Sequence, residues 1–136
     1  IICNPPFFVG DLKSGNKKKD AARHDTSLTL QQLLMVIDNH LSLQGSFAVL
    51  LPYPRLGFFT KLAAAANYFL NEQLLIRHTD THPFFRGILF FSRKKTAVTS
   101  KELAIKEATG AYTPAFIKLL EDYYLPEGLA ATEKCL

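Results

Sequence analysis

Cysteine is scarce in this 136-residue chain. There are two, Cys3 and Cys135, at opposite ends and without a CxxC pair. That spacing argues against a disulfide framework or a zinc site, and it reads as reduced thiols in a cytoplasmic protein. Long apolar runs are missing as well: none approaches the ~20 residues that cross a bilayer, so no membrane-spanning helix is expected. The four histidines, at 24, 40, 78 and 82, show no metal-ligand spacing, and no metal is expected. No positively charged segment precedes an apolar one at the start, so no signal peptide is readable. The chain opens without an initiator methionine on Ile1-Ile2-Cys3, the pattern of a buried strand's end, which points to a fragment starting mid-domain. Half a domain exposes a strand edge and an apolar face, so self-association is expected of it.

What is present has a globular balance. Apolar residues make up 48% and charged residues 21%, which excludes wholesale disorder. Sixteen Lys and Arg against twelve Asp and Glu give a net charge of +4. Residues 1–100 hold twelve basic and six acidic groups, and residues 101–136 hold four and six. A basic body with a slightly acidic tail permits a polyanionic partner.

The strand end at Ile1–Cys3 is cut off by Pro5 and Pro6, and residues 9–25 read as a polar, basic, mobile loop. A helix is expected from an N-cap at Thr26 or Ser27, with Leu30, Leu33, Leu34, Ile37 and Leu41 on one face and Gly45 as its stop. Ser46–Leu51 reads as a strand buried on both faces, ended by Pro52-Tyr53-Pro54. A helix over 56–68, a strand over 72–78, a turn around Pro83 and a strand over 86–93 follow. Residues 101–106 read as a short edge strand, and 112–125 as a last helix with Pro114 in its first turn. The Phe58-Phe59, Phe84-Phe85 and Phe90-Phe91 doublets read as core, and Tyr112, Phe116, Tyr123 and Tyr124 as packing of the last helix on the sheet. Alternating strands and helices give an α/β fold with a mostly parallel sheet, and the last two strands add an antiparallel edge.

One motif carries chemistry. Asn4-Pro5-Pro6-Phe7 follows a strand, and ligands of open α/β sheets bind outside the carboxyl ends of the strands. The prolines stiffen the turn and leave its carbonyls free. Asn4 Oδ1 and the Pro5 carbonyl can then both accept from one exocyclic amino group, while Phe7 offers a ring for a planar base. Such an amino nitrogen is a poor nucleophile because its lone pair is delocalised. Two fixed acceptors offset the positive charge that develops as it attacks a methyl sulfonium. The plain alternative is an ordinary strand-ending turn.

Asn-Pro-Pro-Phe after a strand resembles the catalytic motif of class I S-adenosylmethionine-dependent N-methyltransferases. Within them, Asn4-Pro5-Pro6-Phe7-Phe8, Ala22-Arg23-His24, Leu103-Ala104-Ile105, Tyr112-Thr113 with Phe116, and Tyr123-Tyr124-Leu125 resemble the bacterial tRNA1(Val) adenine-37 N6-methyltransferases. The likeness covers essentially all 136 residues. It implies a Rossmann-like fold, S-adenosylmethionine as cofactor, tRNA as substrate, and Asn4, Pro5, Pro6 and Phe7 as the amino-group clamp. The family's glycine-rich cofactor loop has no counterpart here, since none of the seven glycines makes a GxGxxG or a near relative. Residues 1–136 therefore resemble the C-terminal half of such a domain, without its cofactor-binding half and inactive alone. Glutamine-N5 and guanine-N2 methyltransferases share the clamp, and a non-enzymatic nucleic-acid-binding fragment is the reading from another class.

Lys17, Lys18, Lys19, Arg23 and His24 lie in the loop after the clamp, where RNA phosphates would approach. Charge runs are more often solvated surface. Arg86 and Arg93-Lys94-Lys95 are weaker candidates of the same kind.

Overall fold

The computed structural model describes residues 1–5 and 29–123. The basic loop, and Tyr124 with the residues after it, lie outside the described residues. Among the described residues, five strands form one sheet: β1 (Ile2–Cys3), β2 (Ser46–Pro52), β3 (Phe69–Arg77), β4 (Phe84–Ser92) and β5 (Thr99–Ala104). Their order across the sheet is β1-β2-β4-β3-β5. β1 is parallel to β2 and β3 to β5, while β4 is antiparallel to both its neighbours. Four strands thus share one direction, and β4 alone is reversed. The antiparallel pair is as the sequence predicts, but it is not at an edge. β4 is inserted between β2 and β3, and the edges are β1 and β5.

Helices α1 (Leu30–His40) and α2 (Leu56–Ala65) link β1 to β2 and β2 to β3, and α3 (Pro114–Leu120) follows β5. The N-cap of α1 is Thr29, not Thr26 or Ser27. Its Oγ1 accepts from the Gln32 N–H at 3.1 Å, and Gln32 Oε1 accepts from the Thr29 N–H at 2.9 Å, so two otherwise orphaned donors are satisfied reciprocally. The helix ends at His40 with an extended Leu41, four residues before Gly45. Gly45 closes the following turn instead. A Cβ there would lie 2.8 Å from the Leu41 side chain, which only glycine avoids. His40 is the last residue of α1, and its Nδ1 bonds the Val36 carbonyl at 2.8 Å.

α2 ends at Ala65, three residues before the sequence-based end. Asn67 takes a left-handed φ of 60°, and the Tyr68 and Asn67 N–H groups reach back to Ala63 and Ala64. This turn drops Tyr68 into the core and starts β3 at Phe69.

Leu33, Leu34 and Ile37 of α1, and Leu56, Phe59 and Ala63 of α2, share one core with Phe47, Val49, Leu51, Leu89 and Phe91. Leu30 and Leu41 pack at its margin. Phe47 is its hub, stacked on Phe91 at 5.1 Å and edge-on to Tyr68 at 5.2 Å and Phe59 at 6.4 Å. Such ring pairs are worth about 0.5–1.5 kcal/mol each beyond simple burial.

Both helices cover one face of the sheet. Alternation along β2 and β4 turns Ala48, Leu50, Ile88 and Phe90 to the other, where Ile2 pairs with Ala48. Ile2 is 91% exposed there and Phe90 39%. The Phe doublets are thus only half core: Phe59 and Phe91 are buried, Phe58 and Phe90 are exposed, and Phe84 and Phe85 are half-buried. α3 has Pro114 in its first turn, as the sequence predicts, but it starts there and not at Tyr112, because the Thr113 hydroxyl caps it by accepting from the Phe116 N–H, and it ends at Leu120. Tyr112 and Phe116 stack on each other at 5.1 Å, but Tyr123 is 82% exposed and packs on nothing in the core. Among the described residues, no helix is long and apolar enough to cross a membrane.

Candidate active site

β1 is held by β2 through the pairs Ile2–Ala48 and Cys3–Val49 and by the bond from the Ala48 N–H to the Ile1 carbonyl at 2.9 Å. Cys3 leans on the core, and burial raises its thiol pKa, so it stays protonated near neutral pH. At the carboxyl end of this strand the chain turns from an exposed Asn4 to a buried Pro5. The proline is anchored and the asparagine faces solvent, as a presented hydrogen-bonding side chain requires. Pro6, Phe7, Lys17, Lys18, Lys19, Arg23 and His24 lie outside the described residues.

The carboxyl ends of β2 and β3 share this rim, β2 next to β1 and β3 beyond β4. β2 runs into a single 3-10 turn, Tyr53–Arg55, and Tyr53 meets Phe84 at the start of β4, with ring centroids 5.6 Å apart. His78, just past β3, stacks on Phe85 at 4.2 Å with planes 5° apart. Arg77 lies 5.4 Å over Phe84, held by Asp80 at 2.9 Å and Glu102 at 3.4 Å. The Arg86 guanidinium is 5.9 Å from the Phe85 ring. Sequence reasoning assigned Phe84 and Phe85 to the core and missed this grouping. A signal against the core reading was available, because adjacent residues in a strand point to opposite faces and a doublet cannot both enter one core; the partners Tyr53 and His78 come from other elements and left no such signal.

Arg86 and Arg93 part company here. Arg93 follows β4 at the opposite rim, where it pairs with Asp38 and lies 4.4 Å over the Tyr68 ring. Lys95 sits 5.9 Å from the Phe69 ring at the same end. That cluster is structural and faces away from the rim that carries Asn4. His78 and His82 have ring centroids 6.3 Å apart. No group of three or more metal-ligating side chains forms among the described residues.

The described residues do not fit S-adenosylmethionine. Of their glycines, Gly57 lies in the first turn of a helix that follows a strand, but a Cβ there would meet nothing within 4 Å, so it forms no close cradle. The cleft of about 320 Å³ between α1 and α2, lined by Leu34, Met35, Asp38 and Leu62 among others, is bounded by helices and not by strand ends.

The sheet defines a class first: the fold is that of methyltransferases. A predicted O-methyltransferase from Agrobacterium tumefaciens shares it with a TM-score of 0.51, over 89% of this chain and 49% of that one, at 15% identity. In sequence, the chain is homologous to proteins named tRNA1(Val) (adenine(37)-N6)-methyltransferase. That of Photorhabdus laumondii is 35% identical over 125 residues, 92% of this chain and 51% of the relative. Those of Yersinia pestis and Pectobacterium carotovorum are 33% and 34% identical over 92% of this chain and 50% of their own length. The chain thus spans about half the length of the curated relatives it matches. A scan against models of protein families finds no match.

Proposed function

We propose that the protein carrying this chain methylates the N6 nitrogen of an adenine in tRNA, by likeness adenine-37 of tRNA1(Val), and that residues 1–136 are the C-terminal half of its methyltransferase domain. The observation that carries this reading is the 35% identity over 92% of the chain to a relative of that name. The exposed Asn4 beside a buried Pro5 at the end of β1 supports it.

In this reading Asn4 Oδ1 and the Pro5 carbonyl accept the two amino protons of the target base. Pro6 stiffens the turn, and Phe7 stacks on the base. The two acceptors hold the amino nitrogen close to tetrahedral and offset its growing positive charge. The proton leaves after the new bond forms, so no general base is needed beforehand. S-adenosylmethionine, if bound by other parts of the protein, would supply the methyl group. An anticodon-loop base is already unpaired, so presenting it costs less than extruding one from a duplex. Lys17, Lys18, Lys19, Arg23 and His24 approach the RNA phosphates. Modification of tRNA also accords with a cytoplasmic setting, in which the free thiol of Cys3 would stay reduced.

The test is Asn4→Ala in the full-length protein. Loss of one preorganised acceptor costs on the order of 3 kcal/mol in the transition state, or about 100-fold in rate. Single-turnover methylation should fall by that factor while tRNA affinity holds. A wild-type single-turnover rate would reduce the motif to a strand-ending turn.

A further inference from the structure

The rim of the sheet beyond Asn4 carries rings that the amino-group clamp does not use. Tyr53, 43% exposed, meets Phe84, and an exposed His78 lies flat on a half-buried Phe85. Because Phe85 covers one face of the imidazole, the exposure of His78 lies on its other face and its edges. The end of β5 abuts the same turn: the Lys106 N–H bonds the His78 carbonyl at 2.8 Å, and Lys106 Nζ stands 5.5 Å over Tyr112, itself stacked on Phe116. The rim thus holds three ring pairs, and in each a cation stands over one ring: Arg77 over Phe84, Arg86 over Phe85, Lys106 over Tyr112. Its charges nearly balance, since Asp80 and Glu102 hold Arg77 and Glu107 follows Lys106. Stacking is therefore the interaction this surface offers, with phosphate attraction secondary. Two strand spacings, about 10 Å, separate the line of β1 from β4. An unpaired nucleic-acid strand that places one base at Asn4 would lay its neighbours across these rings.

We propose that the rim formed by Tyr53, in the 3-10 turn after β2, and by the His78–Phe85 stack at the β3–β4 turn is a stacking platform for the unpaired nucleotides flanking the target base. This rests on the tRNA reading above and adds to it the surface that holds the loop. Aromatic platforms of this kind bind single strands because every base has a π face, and they ignore duplexes, whose bases are already stacked.

The experiment uses the full-length protein and two probes, an RNA hairpin with an unpaired adenine-containing loop and the blunt duplex stem alone. His78→Ala and Tyr53→Ala should each weaken hairpin binding by roughly tenfold. The salt dependence and the duplex affinity should not change. His78→Phe keeps a ring and should bind like wild type. Lys61→Ala, which removes an exposed positive charge on α2, should change nothing. Wild-type hairpin affinity in both alanine variants, or equal losses on hairpin and duplex, would overturn the platform. If the rim variants bind normally while Asn4→Ala still loses methylation, the platform alone falls. If the wild-type protein binds neither probe, the tRNA reading falls with it.

Discussion

Arg93 and Asp38 are 55 residues apart in sequence, and Arg93 Nη2 meets Asp38 Oδ1 at 2.7 Å. The Tyr68 hydroxyl completes the triangle, donating to the same carboxylate oxygen at 2.8 Å and accepting from Arg93 Nη2 at 2.9 Å. Three elements are tied at one point: α1, the turn after α2, and the end of β4. Tyr68→Phe deletes the hydroxyl but keeps the ring in the core. It should cost about 1 kcal/mol of stability, measured by urea unfolding. Because the knot lies at the rim opposite Asn4, RNA affinity should be untouched; a change there would contradict the placement.

The same knot sets a pH dependence. The hydrogen bond from Tyr68 holds the Asp38 pKa below its usual value, and the bond and charge of Arg93 add to it. A depressed carboxylate contributes stability above its unfolded pKa, about 3.9, and loses it as pH falls through the lower folded value. Asp38→Asn should therefore flatten the decline of Tm below about pH 4. An acid limb identical to wild type would show that other carboxylates govern it.

Thr29→Ala removes one half of the capping box and should destabilise the protein by about 1 kcal/mol, with Thr29→Asp close to wild type. Thermal unfolding reads the difference. Equal losses in the two variants would show that something other than the cap anchors α1.

These elements also show how far the sequence could be read. The apolar stripe of α1 was legible because helical spacing is local, and its buried residues are Leu33, Leu34 and Ile37 as periodicity predicts. Its start was misplaced among three hydroxyl residues, although Thr29 alone has a glutamine three positions on. The insertion of β4 between β2 and β3 leaves no local trace, since pairs such as Val49–Leu89 depend on residues 40 positions apart. At the candidate site, the prolines after Asn4 marked the end of β1, where the structure has an exposed Asn4 and a buried Pro5. The His78–Phe85 stack was not, because the two rings meet only when the β3–β4 turn closes.

Replacing Lys17, Lys18, Lys19 and Arg23 with alanine in the full-length protein should weaken tRNA binding and flatten its salt dependence. Methylation at saturating tRNA should be largely spared. An unchanged salt slope would return the run to solvated surface.

The apolar face carrying Ile2, Leu50, Ile88 and Phe90 predicts self-association of the isolated 136-residue chain. Light scattering should find dimers or larger species whose proportion rises with concentration. A monodisperse 15.3 kDa monomer would refute this.

The reversed strand also dictates an order of events during synthesis. When Arg77 leaves the ribosome, β2 and β3 exist, but neither has a neighbour linking it to the other. Their common partner is encoded next, and the gap closes only once Ser92 has emerged. Until then, two apolar strand edges wait in solvent, each open to misplaced pairing with another nascent chain. The turn from His78 to Pro83 is short, so β4 can fold back on β3 without a long search and then capture β2. Lengthening that turn would tax the vulnerable interval in translation more than the finished protein.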